Sequence, residues 1–143
     1  MASLGQPIMG TTLTSMHFVG DAISLCHVGD SRCYRLSESG FTQLTQDHEA
    51  FDETFNSPVL ASYLGIPTDT FPLQIQEEMM PVEPGAQYLL CSDGLYRQMP
   101  GSRVREIVRQ YASSPDALVQ RLCVEAATTP SSDNVTAIYI VVE

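Results

Sequence analysis

Leu89-Leu90-Cys91-Ser92-Asp93-Gly94-Leu95 runs from apolar residues straight into an acidic turn, and Ser131-Ser132-Asp133-Asn134-Val135-Thr136 leads from an acidic turn into the apolar run 135–142. Both aspartates are therefore expected at strand ends, where a sheet brings residues distant in sequence to one edge. Asp30, in His27-Val28-Gly29-Asp30-Ser31-Arg32, also ends an apolar run. Three carboxylates converging on one edge suggest hard divalent cations, which prefer oxygen ligands. Each aspartate also has a plainer reading. Asp93-Gly94 between apolar residues makes a good hairpin turn, Asp133-Asn134 can end a loop before the last strand, and Asp30 can bond nearby backbone amides in a turn.

Outward from these motifs, the pattern gives strands first and helices later. Residues 11–19 and 22–28 flank Gly20-Asp21, and 32–37 and 41–45 flank Glu38-Ser39-Gly40, so 11–45 reads as an antiparallel meander. Residues 46–72 hold Asp47, Asp52, Asn56, Pro58, Gly65 and Pro67 and read as a loop-rich insertion with one helical turn around 59–64. Strand character returns at 73–78 and 87–92, separated by Pro84-Gly85. Val104, Ile107, Val108 and Tyr111 fall at helical spacing after a Ser102 cap; Leu118, Leu122 and Ala126 do so after Ser114-Pro115. The run 135–142 is the strongest strand by β-branched content. The fold class expected is α+β.

Composition narrows the setting. At 143 residues the chain is long enough for one domain that buries roughly 68% of its unfolded surface. Seventeen Asp plus Glu against seven arginines, with no lysine, give a net charge of −10, which argues against nucleic acid and anionic membrane as partners. No signal-like or membrane-length apolar stretch is visible, so a cytoplasmic location is expected. Cys26, Cys33, Cys91 and Cys123 lack CxxC spacing and read as reduced core thiols. His27 and His48 read as structural, Arg32 as the partner of a carboxylate, and Arg103, Arg105 and Arg109 as a solvated helix face.

Gly10-Thr11-Thr12, Gly29-Asp30-Ser31-Arg32, Leu44-Thr45-Gln46-Asp47-His48, Leu64-Gly65, Cys91-Ser92-Asp93-Gly94-Leu95 and Ser132-Asp133-Asn134-Val135-Thr136 occur here in one order. In that order they resemble the PPM (type-2C) family of metal-dependent protein serine/threonine phosphatases, from about Met9 to the end of the chain. The resemblance implies a partial α-β-β-α sandwich, antiparallel sheets flanked by helices. It implies hydrolysis of phosphoserine and phosphothreonine by water activated at a binuclear Mn²⁺ or Mg²⁺ site. Asp93 and Asp133 would be ligands of the metal pair and Asp30 a ligand of a weaker third ion, with Gly94, Asn134 and Ser31 supporting them. A phosphoprotein substrate and a cognate serine/threonine kinase are the partners implied.

Two departures qualify this. The family's part before Gly-Thr-Thr normally brings a phosphate-binding arginine, an acidic ligand and the metal-bridging aspartate of an Asp-Gly pair, and Met1 to Met9 cannot replace them. Residues 1–143 therefore read as a single domain, incomplete on its N-terminal side, that leaves a sheet uncovered for self-association. Arg97 stands four residues after Asp93, where some members carry a carboxylate for the third ion. The runner-up reading is a non-catalytic PPM-like module that binds a phosphoprotein or kinase.

Overall fold

The computed structural model describes residues 9–37, 40–130 and 133–143. Its element order is β1 (Leu13–Val19), β2 (Ala22–Val28), β3 (Arg32–Ser37), β4 (Gly40–Gln43), β5 (Glu49–Asp52), β6 (Ser57–Leu60), β7 (Gln76–Pro81), β8 (Gln87–Cys91), α1 (Asp93–Tyr96), α2 (Gly101–Tyr111), α3 (Pro115–Ala127) and β9 (Ala137–Val141). These build a three-stranded sheet in the order β1-β2-β7, a four-stranded sheet in the order β4-β3-β8-β9 and the separate hairpin β5-β6. Every strand pair is antiparallel.

The two-residue period of a strand sorts the side chains of β8 onto two cores. Leu89 and Cys91 face the helices, where Leu95, Val104, Ile107, Val108, Leu118 and Leu122 are buried against them. Tyr88 and Leu90 point the other way, into the space between the sheets, with Ile23, Leu25 and Cys33. The layers are thus sheet, sheet and helices, an α+β architecture of the kind expected. Each fully buried Leu or Ile contributes about 1.5–3 kcal/mol of transfer free energy. Both helices form because their apolar residues recur on one face; α3 opens on Ser114 with Pro115 at its first position, as its sequence suggests. In α2 the helix begins earlier than expected, at Gly101 with Pro100 in the cap position, because proline's fixed φ suits an extended cap as well as Ser102 would.

Two expectations fail. Residues 11–45 are not one meander: β1-β2 and β3-β4 belong to different sheets. The chain changes sheet between Val28 and Arg32, where Gly29 takes φ +112° and a Cβ would stand 2.5 Å from the Thr12 methyl. Only glycine fits that crossing. Residues 57–60 are a strand of the β5-β6 hairpin and not a helical turn, since Glu49 to Asp52 supplies an antiparallel partner that the local sequence did not advertise. The turn residues Glu38 and Ser39 lie outside the described residues. No helix among the described residues is long and apolar enough to cross a membrane. The four cysteines are free, and burial pushes Cys33 and Cys91 up to about 12.

A histidine pair holds the crossing. His27 donates from Nε2 to the Gln46 carbonyl at 2.9 Å, so its Nδ1 accepts the Thr14 hydroxyl at 2.8 Å. His48 accepts the Gly29 amide on Nδ1 at 3.0 Å, and the His48 amide returns a bond to the Gly29 carbonyl at 2.9 Å. The ring centroids lie 5.0 Å apart. Burial lowers both pKa values, and the neighbouring imidazole lowers that of His48 further. Histidines depressed in the folded state take up protons more readily when unfolded, so unfolding free energy falls as pH drops through the ordinary imidazole range. Asp30, raised by burial, acts in the opposite sense but only in the carboxylate range. Urea midpoints should therefore fall between about pH 7.5 and about pH 5.5 and fall less in the double variant His27→Gln, His48→Asn. A midpoint that stays constant across that window in the parent chain would contradict the buried neutral pair.

Candidate metal centre

The Asp93 and Asp133 motifs are joined through their backbones. Beyond the last β8–β9 pair, Cys91 with Ala137, Ser92 continues the pairing: its amide donates to the Thr136 carbonyl and its hydroxyl accepts the Thr136 amide, both at 3.0 Å. Asp93 then turns directly into α1, not into a hairpin. A Cβ on Gly94 would meet the Asn134 carbonyl oxygen at 2.2 Å, so glycine is required for the two chains to pass this closely. Asn134 donates its amide to Asp133 Oδ1 at 2.7 Å, and Asp133 is exposed. Ser131 and Ser132 lie outside the described residues.

Asp30 reaches the same region from the sheet crossing. The Tyr96 hydroxyl donates to its carbonyl at 2.6 Å, and the neighbouring Ser31 hydroxyl bonds that of Thr12 at 3.0 Å. Arg97, the next residue of the helical turn, donates to Asp30 Oδ2 at 3.4 Å, to Asp93 Oδ2 at 3.3 Å and to Glu49. Burial raises the Asp30 carboxyl, the charge of Asp93 raises it further, and Arg97 opposes both. Arg32 stacks on the Tyr96 ring at 3.6 Å and pairs with Asp47 at 2.6 Å, the carboxylate partner expected for it. Asp30 and Asp93 are thus brought onto one guanidinium, while the Asp133 motif meets the Asp93 motif where Asn134 passes Gly94.

Sequence reasoning missed Glu49 and the place of Tyr96. The i,i+4 spacing of Asp93 and Arg97 on a helix was a readable signal for one of the three ion pairs. Nothing local signals a contact across 48 residues.

The aspartates are the hard oxygen donors that Mn²⁺ or Mg²⁺ prefers, but they do not make up the ligand set of a metal pair. Among the described residues no three His, Cys, Asp or Glu side chains stand close enough to hold one ion, and such cations take about six oxygens each. Arg97 already engages one oxygen of Asp93, and the Asn134 amide engages one of Asp133. A cavity of about 320 Å³, lined by Thr12, Ser31, Leu90, Ser92, Thr136 and Ile138, opens beside the motifs. A larger groove of about 520 Å³ lies between α2 and the β3–β4 end and contains none of these carboxylates, so its size is no guide to the chemistry.

No family model matches the chain. It is 31% identical over 150 residues to the serine/threonine protein phosphatase PstP of Mycobacterium tuberculosis, a match that covers 91% of this chain and 27% of PstP. It is 27% identical over 149 residues to the serine/threonine phosphatase Stp of Listeria monocytogenes, covering 92% of this chain and 56% of Stp. The chain therefore spans about half the length of Stp and about a quarter of that of PstP. Among solved structures it resembles PppA, a key regulatory component of T6SS in Pseudomonas aeruginosa, at 32% identity and TM-score 0.78, over 92% of this chain and 57% of PppA. The crystal structure of Mycobacterium tuberculosis PstP gives 27% identity and TM-score 0.76, over 94% and 60%. A PstP catalytic domain with the same fold, TM-score 0.64, holds two manganese ions. By sequence and by fold the chain belongs with the PPM-type serine/threonine phosphatases, matched over part of the length of each.

Proposed function

We propose that this chain forms part of a metal-dependent phosphatase centre that hydrolyses phosphoserine and phosphothreonine in proteins. Asp93 and Asp133 are ligands of a Mn²⁺ or Mg²⁺ pair, with Gly94, Asn134 and Ser31 fixing the backbone around them. The observation that carries this reading is the close passage of Gly94 over Asn134 with the Ser92–Thr136 bond pair, which holds two acidic motifs side by side on one sheet edge. The pair's remaining oxygen ligands come from outside the described residues, because the carboxylates here are too few. A cognate kinase that phosphorylates the same substrate is the partner such an activity implies. The short donor set also favours a second reading, a module that binds a phosphoprotein or kinase without catalysis; metal binding and turnover separate the two.

The test replaces the matched segment of Listeria Stp with residues 9–143 of this chain and follows phosphate release from a phosphothreonine peptide. The chimera should require Mn²⁺ or Mg²⁺, and Asp93→Asn or Asp133→Asn should each lower kcat by on the order of 100-fold or more. Turnover that survives both substitutions would remove these residues from the centre. The chain by itself should hydrolyse p-nitrophenyl phosphate no faster than the blank. Mn²⁺-dependent turnover of the chain alone would overturn the ligand count.

Strand β9 is an outer strand of its sheet, and Ile138 and Val141 are 53% and 41% exposed. Unpaired amides beside apolar side chains invite pairing with another copy. In light scattering the isolated chain should be larger than a monomer of 15.7 kDa, and Ile138→Lys should shift it toward the monomer. A parent chain that stays monomeric at every concentration would exclude this surface.

A further inference from the structure

We propose that Arg97 is a built-in cation: it occupies the space among Asp30, Asp93 and Glu49 that a third divalent ion would need, and it ties the β5-β6 hairpin to the centre without metal. For its functional meaning the proposal rests on the reading of Asp93 as a site residue; its structural content does not.

Three segments meet on this side chain. Asp93 is four residues before it on α1, Glu49 is 48 residues away at the start of β5, and Asp30 is 67 residues away at the sheet crossing. Nε serves Asp93, and Nη2 serves both Asp30 and Glu49. The side chain is oriented from its own helical turn. The preceding Tyr96 clamps the Asp30 carbonyl through its hydroxyl, and its ring centroid lies 5.3 Å from the Arg97 guanidinium carbon. The last residue of α1 and the cap residue that follows it thus grip one loop residue, one by its backbone and one by its carboxylate.

With Arg97 in place, the carboxylates are arranged around a guanidinium and not around a metal. A divalent ion draws its oxygens to within about 2.0–2.6 Å of one point. A guanidinium spreads its donors over a planar fork, so its carboxylates stand farther apart. That spacing agrees with the lack, among the described residues, of any three acidic side chains able to hold one ion. Without Arg97, three carboxylates would face one another uncompensated, and they would protonate, separate or recruit a cation.

The hairpin gives the contact a consequence. The β5-β6 pair belongs to neither larger sheet, and Phe51 and Phe55 are 62% and 74% exposed. A lone two-stranded hairpin has little stability of its own. Bonds between His48 and Gly29 attach it to the sheet crossing, and Arg97 adds a side-chain tie at Glu49. The hairpin therefore stays against the centre at any divalent-ion concentration.

The experiment is amide hydrogen exchange over residues 49–60, with and without Mn²⁺, together with Mn²⁺ counted by electron paramagnetic resonance. Arg97→Gln and Glu49→Gln should each speed hairpin exchange about 3- to 5-fold and leave α2 and α3 unchanged. Mn²⁺ should not alter hairpin exchange in the parent chain. Arg97→Asp, which replaces the cation by a fourth carboxylate, should bind one more Mn²⁺ than the parent, and that ion should slow hairpin exchange back toward the parent rate. Hairpin exchange unchanged in both glutamine variants would overturn the tie. A parent hairpin already slowed by Mn²⁺, or an Arg97→Asp chain that takes no extra ion, would overturn the place of Arg97 as a stand-in cation. Because these readouts need no turnover, they can succeed or fail independently of the phosphatase reading.

Discussion

Strand β8 is buried on both faces, and the rest of the molecule is arranged around that constraint. It pairs with β3 on one side and β9 on the other, packs Tyr88 and Leu90 against the second sheet and Leu89 and Cys91 against the helices, and ends on Ser92 and Asp93. A strand clamped in four directions cannot slide, since a one-residue slip would exchange its two cores. Its end therefore holds the start of the Asp93 turn in a fixed register. The Ser92–Thr136 bonds extend that rigidity by one step into the Asp133 loop.

The parts of this design that are local were legible in the chain. The positive φ needed at Gly20, the Ser114-Pro115 start of α3 and the apolar spacing of α2 each sit within a few residues. So do the strand-end positions of Asp93 and Asp30. What could not be read were relations between segments. The hairpins β1-β2 and β3-β4 look like one meander because Val28-Gly29-Asp30-Ser31-Arg32 carries the same residue types as an ordinary turn. Only the packing of Thr12 on Gly29 and the His48 bonds show that the chain changes sheet there. The β5-β6 hairpin escaped for a related reason. Its strands are four residues each and half exposed, so neither has the alternation that marks a strand with a buried face.

The same distinction applies to the candidate centre. Asp30 and Asp93 were marked by their place after apolar runs, but the residue that joins them, Arg97, shows its role only once Glu49 arrives from elsewhere. Sequence could give the sign of the charge at position 97 and not the number of carboxylates it would meet. An acidic chain makes that number matter. With a net charge of −10 and no lysine, each cation is an arginine, and several are placed between segments: Arg32 on Asp47, Arg35 on Glu83, Arg103 on Glu125.

Arginine suits this use for a physical reason. An ammonium is a compact, strongly hydrated point charge, which would sit on one carboxylate and leave the others to water. A guanidinium is planar, weakly hydrated and presents donors in fixed directions, so it can serve Asp93 through Nε while Nη2 faces Asp30 and Glu49. Its face remains free for an aromatic ring, and the Tyr96 ring centroid lies 3.6 Å from the Arg32 guanidinium carbon and 5.3 Å from that of Arg97. Charge neutralisation, helix attachment and hairpin attachment thereby fall to one small group of residues. The acidic edge of the sheet keeps its geometry through contacts supplied by the chain itself, and a metal bound at Asp93 and Asp133 would meet a frame already in place.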